Sequence, residues 1–327
     1  MKPSSKNIFI LLLVFVSIFL FNTVSFAKYE NIIAVVFKDG SVISGKVMEM
    51  NPEQIKIMTK EGDVITRKFD DVKDLVKADN PIRSATKAIH TFEFGPEISF
   101  IEYNEPGVMK EKGTMFGLGA SYAYHNDTML KLEGRFSYGK VDYENSGTMD
   151  NVTDVMYEFR GIGGYDFKIL KATTITPFIG FGVRYLSDDS GGLTTSTGAK
   201  GYMRRSIYYY SPIGIEANTL LSKGWSVGAT AEYDYFWQGQ QNSALSDANP
   251  NYNDQTNNQR GGYGLRGSIR IKKQSDERYY VVEPFIRYWE IDKSDNSTVT
   301  YSGVIIGYGY EPKNRSTEIG LKFGIGF

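Results

Sequence analysis

The chain has 327 residues, of which 41% are hydrophobic and 23% charged, and its formal net charge is -1. This length allows more than one folded unit, and the balanced charge excludes nucleic acid as an expected partner. The sequence contains no Cys and two His, which excludes disulfides, thiolate metal sites and a Cys nucleophile.

Residues 1–27 have the three parts of an export signal. Lys2 and Lys6 give a basic start, residues 8–21 are almost entirely apolar, and Ala27 is a small residue at a position that signal peptidase reads. The apolar run is about 14 residues long, whereas a membrane-spanning helix needs about 20. We therefore expect export with cleavage after Ala27, and an uncleaved membrane anchor is the alternative.

The pattern in residues 28–77 predicts a small β-rich module. Asp39-Gly40 and Glu61-Gly62 stand where hairpin turns need positive φ. The predicted strands cover residues 32–37, 42–48, 54–58 and 64–69.

An apolar strand, the Asp39-Gly40 turn and then Ser44-Gly45-Lys46-Val47 together resemble the small SH3-like and Sm-like barrels. The resemblance implies a periplasmic interaction or spacer module with a possible partner there, and a stabilising plug or cap is the alternative. Residues 78–91, which contain Pro81, are predicted to be a linker.

From Phe92 onward the sequence alternates with period two. Phe92, Phe94, Ile98 and Phe100 fall on one face of the first segment, and polar residues or glycine fall on the other. Nine further segments show the same alternation, so we predict about ten strands over residues 92–327. No other stretch resembles a transmembrane helix, and a membrane protein of this kind must then be a closed barrel.

The predicted connections alternate between tight and long. The tight ones are residues 125–128, 170–173, 222–224 and 273–277, and the long ones are 104–113, 144–151, 187–202, 239–261 and 292–314. Outer-membrane barrels sort short turns to the periplasmic rim and long loops to the outside. The fold class predicted is therefore all-β, an antiparallel transmembrane β-barrel preceded by the small module, in the bacterial outer membrane.

The segment from Glu311 to Phe327, and the earlier Glu283-Pro284-Phe285-Ile286-Arg287-Tyr288-Trp289, resemble the OmpA-like outer-membrane β-barrel families of Gram-negative bacteria. The resemblance implies contact with outer-membrane lipid. It also implies that the barrel-assembly machinery reads the last strand, with an assembly signal formed by Phe323, Ile325 and Phe327.

The face opposite the apolar one is predicted to line the lumen. Acidic and basic residues nearly balance there, which predicts an ion-paired core in a ten-stranded barrel, and a narrow conduit is the alternative. The predicted network consists of Glu93, Glu97, Lys131, Glu133, Arg135, Glu158, Arg160, Arg184, Glu232, Asp234, Arg266 and Arg270.

Catalytic, metal and cofactor sites are not expected. The omptin proteases resemble this chain in strand count, but His90 precedes the predicted barrel and His125 lies in a predicted periplasmic turn, so neither is expected at the external mouth. Glu232 and Asp234 could form an acid–base pair, although salt bridging is the favoured interpretation. The Asn-rich loop at residues 242–258 lacks the ligand spacing of a calcium loop.

These observations predict a structural or interaction protein with exposed extracellular loops, and not an enzyme. The alternative is a small porin or a transporter for small solutes.

Overall fold

The computed structural model describes residues 32–59, 62–77, 89–170, 172–275 and 277–327. The expected export signal, residues 1–27, and residues 78–88 of the expected linker lie outside this part of the chain. The chain divides into two compact units, Met1–Ala85 and Thr86–Phe327.

The first unit contains one antiparallel sheet of five strands, which lie in the order fourth, third, second, first and fifth along the chain. Gly40, with a φ of 85°, makes the turn after the first strand, as the Asp-Gly dipeptide predicts. The buried core of the unit is Val35, Phe37, Ile55 and Ile57. Its strands are β1 (Ile32–Phe37), β2 (Val42–Met50), β3 (Gln54–Thr59), β4 (Val64–Lys68) and β5 (Val72–Lys77), with a 3-10 turn (Phe69–Asp71) before the last.

The second unit is built from long strands. Their bounds are β6 (Ile89–Glu105), β7 (Met109–Asn126), β8 (Thr128–Asn145), β9 (Gly147–Tyr165), β10 (Phe167–Leu170), β11 (Thr173–Asp189), β12 (Met203–Leu220), β13 (Trp225–Ser243), β14 (Gln255–Gln259), β15 (Gly262–Ser275), β16 (Arg278–Ile291), β17 (Asn296–Tyr301), β18 (Val304–Tyr310) and β19 (Asn314–Gly326).

Ten of these strands close into an antiparallel barrel, which confirms the predicted barrel and its number of strands. The ring order is β6, β7, β8, β9, β11, β12, β13, β15, β16 and β19. β19 then pairs with β6, placing Ile319 opposite Phe100. The short strands β10 and β14 extend the sheet at its two rims, and β17 and β18 form a separate hairpin.

The connections are sorted between the two rims. At one rim, named here the turn end, neighbouring barrel strands are joined by residue 127 or by residues 166–172, 221–224 and 276–277. At the other, the loop end, the connections are residues 106–108, 146, 190–202, 244–261 and 292–313. The expected long loops at 104–113 and 144–151 were wrong, because the strands continue alternating beyond the membrane-crossing length and end in tight turns.

The outer face of the barrel is apolar. Phe116 and Leu132 point outward and are more than 60% exposed. Each of the remaining barrel strands also carries exposed large apolar side chains. Over the middle of each strand no outward position carries a charge, whereas Lys140 and Arg205 flank this band at the loop end and Lys273 flanks it at the turn end. Such a surface is suited to lipid and costly in water.

Candidate functional site in the barrel lumen

Inward side chains fill the middle of the lumen with a charged layer. Arg135 donates hydrogen bonds to Glu97, at 2.5 Å, and to Glu318. Arg266 donates from Nη1 to Glu158 at 2.9 Å and from Nε to Asp234 at 2.7 Å. All six side chains are nearly buried, so each charge meets an opposite one in place of water.

A second part of the network lies nearer the turn end. Glu93 accepts hydrogen bonds from Lys322, at 2.9 Å, and from Arg270. Arg160 binds Glu133 through Nε at 2.7 Å and also binds Glu232. Lys131 completes the group at 2.8 Å from Glu133.

Arg184 differs from the other predicted network residues. No carboxylate lies within ion-pair distance of its guanidinium among the described residues; the group stands 5.9 Å from the ring centroid of Tyr208 and 5.6 Å from that of Trp289. Tyr210 packs edge-on against Trp289 with their ring centroids 5.0 Å apart. The aromatic residues thus hold this cation through their ring faces.

Several ion pairs cross the lumen from wall to wall. β9 and β15 are four places apart in the ring of ten, and Glu158 and Arg266 join them. β6 and β12 are five places apart, which is halfway round, and Glu105 and Arg204 join them. These side chains therefore meet across the lumen from opposite walls.

A cavity lies among these side chains, between the central layer and the turn end. It has a volume of about 130 Å³ and is lined by charged residues such as Lys131, Glu216, Arg270 and Glu283. This volume could hold about four water molecules at roughly 30 Å³ each.

At the loop end the structure reveals a group that the sequence argument missed, named here the acidic cluster. Its members are Glu105, Glu111, Asp154, Asp188 and Glu311, all buried, around Arg204. Arg204 binds Glu311 at 2.5 Å and lies 3.9 Å from Asp188.

Charge in the acidic cluster is poorly compensated. One oxygen each of Asp154 and Asp188 is buried without a hydrogen-bond partner. Burial raises the pKa of Glu311, which lies in the connection between β16 and β19, from 4.5 to about 7, because loss of water disfavours the charged form. If the alternation of inward and outward residues had been continued past the expected strand ends, it would have predicted that Glu105 and Glu111 face inward. The sequence interpretation assigned both residues to a loop.

Both histidines lie toward the turn end. His125 contacts Asp166 through Nδ1 at 2.7 Å, and Asp166 also accepts from Thr176. His90 is exposed beside Tyr122, 2.7 Å from its hydroxyl. Within the described ranges no three His, Asp or Glu side chains are arranged to hold a metal ion.

Among the described residues, no helix is long and apolar enough to cross a membrane. The closing strand brings Phe327 against Phe94, with the two rings stacked at 6.4 Å. Phe323 and Ile325 lie on the same strand, where Ile325 pairs with Phe94 of β6 and Phe323 with Val282 of β16.

No protein-family model and no curated protein matches the sequence. Solved structures do match. The outer membrane protease OmpT from Escherichia coli aligns with a TM-score of 0.51 at 9% identity, over 74% of this chain and 96% of OmpT. Neisserial surface protein A aligns with a TM-score of 0.29 at 13% identity, over 72% and 95% of the two chains. The Pseudomonas putida toluene transporter TodX gives 0.29 at 9% identity, over 72% and 89%.

The OmpT comparison corrects one expectation. The sequence argument held that the chain is not an enzyme because neither histidine lies at the external mouth, but OmpT, with which it aligns at a TM-score of 0.51, is a protease. The position of the histidines therefore does not exclude catalysis in a barrel of this shape. At 9% identity the likeness concerns the fold, and the fold of residues 89–327 is that of an outer-membrane β-barrel.

Proposed function

We propose that the chain is an integral outer-membrane protein whose lumen is closed to ions and whose loop end serves as an external interaction surface. The observation that carries this proposal is the set of ion pairs that join opposite walls, Glu158 with Arg266 and Glu105 with Arg204. The uncharged outer band supports the membrane location, with the loop end outside and the turn end in the periplasm.

Conductance of the refolded protein in a planar bilayer tests the closed lumen. We expect no steady channel from the natural chain. The double variant Glu158→Ala/Arg266→Ala removes both members of a crossing pair and should admit a measurable ion leak. Lys112→Ala/Glu144→Ala removes an exposed pair at the loop end, 3.2 Å apart, and should stay silent.

Steady channels of defined size from the natural chain would refute the closed lumen and favour a small porin or transporter. The 130 Å³ cavity near the turn end would then be part of the conducting path.

A second candidate function is peptide-bond hydrolysis at the loop end. The acidic cluster favours it, because neighbouring carboxyl groups that share protons can act as general acid and base, and the protease OmpT has the same fold. Incubation of the refolded protein with a fluorogenic peptide library tests this candidate. Cleavage that Asp188→Asn abolishes and Asp142→Asn, at an exposed position, leaves intact would support it; absence of cleavage would refute it.

We also propose that residues 28–77 form a small SH3-like module that binds a partner in the periplasm. The five-stranded order β4-β3-β2-β1-β5, with its 3-10 turn before β5, supports this interpretation. The assembly signal of Phe323, Ile325 and Phe327, read by the barrel-assembly machinery, and cleavage of an export signal after Ala27 are further parts of the proposal.

A further inference from the structure

The connection between β16 and β19 carries an apolar hairpin, formed by β17 and β18. Val304, Ile305, Ile306 and Tyr308 on it are exposed by 66%, 64%, 56% and 72%. Neighbouring residues of a strand point to opposite faces, so apolar side chains are exposed on both faces of the hairpin. Exposed apolar side chains that are contiguous in this way mark an interaction surface more often than isolated ones do.

The apolar hairpin is held in place by amide side chains of the preceding loop. Asn253 and Gln255 donate to the carbonyl oxygen of Thr298, at 3.0 and 3.2 Å. Asn257 donates to the carbonyl oxygen of Asp295 at 3.0 Å and to that of Gly309 at 3.4 Å. A two-stranded hairpin alone is marginally stable in water, and these bonds fix its conformation before any partner arrives.

One edge of the hairpin is open. β18 pairs with β17 on one side, and no other strand in the described part of the chain pairs with it on the other. Residues 299–310 contain no charged side chain. Exposed edge strands are usually protected by Lys, Pro or bulges that turn the edge away. β18 contains no Lys or Pro, and its register shift, opposite Val299 and Thr300, leaves Ile306 without a partner on β17, whereas residues 307–310 pair with β17 in regular register.

We propose that the open edge of β18 binds an extended, uncharged segment of a partner protein as a third strand of the hairpin. Backbone hydrogen bonds supply the affinity in this mode, and alternate side chains add specificity. A lipid surface fits less well, because hydrocarbon cannot satisfy the free N–H and C=O groups of an open edge. The proposal rests on the proposed function in one respect: the loop end must face outward for the partner to be external.

The test uses the full chain refolded in detergent micelles. The probe is a fluorescent eight-residue peptide of alternating Thr and Val, compared with a copy whose alternate amides are N-methylated and cannot donate. We expect the first peptide to bind at least tenfold more tightly than the second. Its binding should also slow amide hydrogen exchange in residues 304–310, measured by mass spectrometry.

Two variants locate the binding. Ile306→Lys/Tyr308→Lys places charges on the open edge at exposed positions and should weaken peptide binding at least tenfold. Leu193→Lys, a similar change at an exposed apolar residue of another loop-end connection, should leave it unchanged. Equal binding of both peptides, or no binding, would overturn the proposal. The proposal would also be overturned if the peptide does not bind and the protein in nanodiscs floats with phosphatidylcholine vesicles in a way that depends on the hairpin.

The measurement of peptide binding does not depend on the conductance of the protein or on its location in the cell. Failure of the proposed closed lumen would therefore appear in the bilayer recordings, whereas failure of strand addition would appear only in the peptide measurements.

Discussion

Both ends of the lumen contain buried carboxyl groups, but the charges around these groups differ between the two ends. Toward the turn end Glu93 meets two cations at close range, Lys322 and Arg270. At the loop end five buried carboxyl groups surround Arg204, and two of their oxygens have no hydrogen-bond partner. Glu93 is as deeply buried as the five loop-end carboxyl groups, so the number of cations within reach decides whether such a carboxylate stabilises or destabilises the folded barrel.

The largest expected effect comes from the charged layer in the middle of the lumen, where acids and bases are paired. Arg135→Ala leaves Glu97 and Glu318 buried without their closest cation, and we expect the free energy of unfolding to fall by about 3–5 kcal/mol. Urea unfolding of the refolded barrel, followed by its heat-modifiable gel migration, measures this. Lys112→Ala, at an exposed ion pair, should cost under about 1 kcal/mol; equal losses in the two variants would contradict the expectation.

A pH titration separates the two ends. The pKa of Glu311 in the folded chain is about 7, above its ordinary 4.5, so its protonated form favours the folded state. That stabilisation is complete below pH 4.5 and is lost as the pH rises through 7, a change on the order of 3 kcal/mol. Unfolding in urea between pH 4 and 8 measures it. Glu311→Gln should flatten the plot of unfolding free energy against pH. An unchanged slope in this variant would show that other groups cause the pH dependence.

Isosteric neutralisation should have opposite signs at the two ends. Asp154→Asn removes a poorly compensated charge, and we expect the free energy of unfolding at pH 8 to rise by about 1 kcal/mol. Glu93→Gln removes the partner of two cations and should lower it by about 2 kcal/mol. Thermal unfolding of both variants side by side is the measurement, and changes of the same sign would show that the two regions do not differ as described.

The smallest expected effect on stability concerns Phe327. Its ring stacks on Phe94 and lies under the Arg278 guanidinium, but it is 48% exposed, so Phe327→Ala should lower the free energy of unfolding by about 1 kcal/mol. Under the proposed assembly role the same variant should reach the outer membrane at severalfold lower levels in cells. Leu321→Ala, in β19 and on the same outward face, is the control; equal cellular levels of the two variants would refute a special role for Phe327.

Local pattern was sufficient to predict the barrel but not the contacts inside it. Alternation of Phe92, Phe94, Ile98 and Phe100 with polar residues predicts a strand and its faces, because side chains in a strand repeat every two residues. Which acid meets which base depends on the ring closing, and nothing near Glu158 in the sequence indicates Arg266. β5 was missed because it pairs with β1, at a long separation, and carries no clear alternation of its own.

The loop end shows a second limit. Expected loop positions such as Glu111 turned out to be inward strand residues, since the strands extend past the length that a membrane requires. The polar composition of residues 104–113 favoured a loop, and the tertiary closure of the barrel overrode it. Glu105 and Glu111 in that segment face the lumen, and composition alone does not predict a strand with polar residues on its inner face.

The ion pairs across the lumen lead to an expectation about the order of folding. Arg135 and Glu318 are separated by 183 residues along the chain, and Arg270 and Glu93 by 177. Contacts of such long separation form late, because the chain between them must first be ordered. We therefore expect the walls to assemble around hydrated charges and the water to leave as β19 docks on β6, so that barrel closure and loss of water from the lumen occur together.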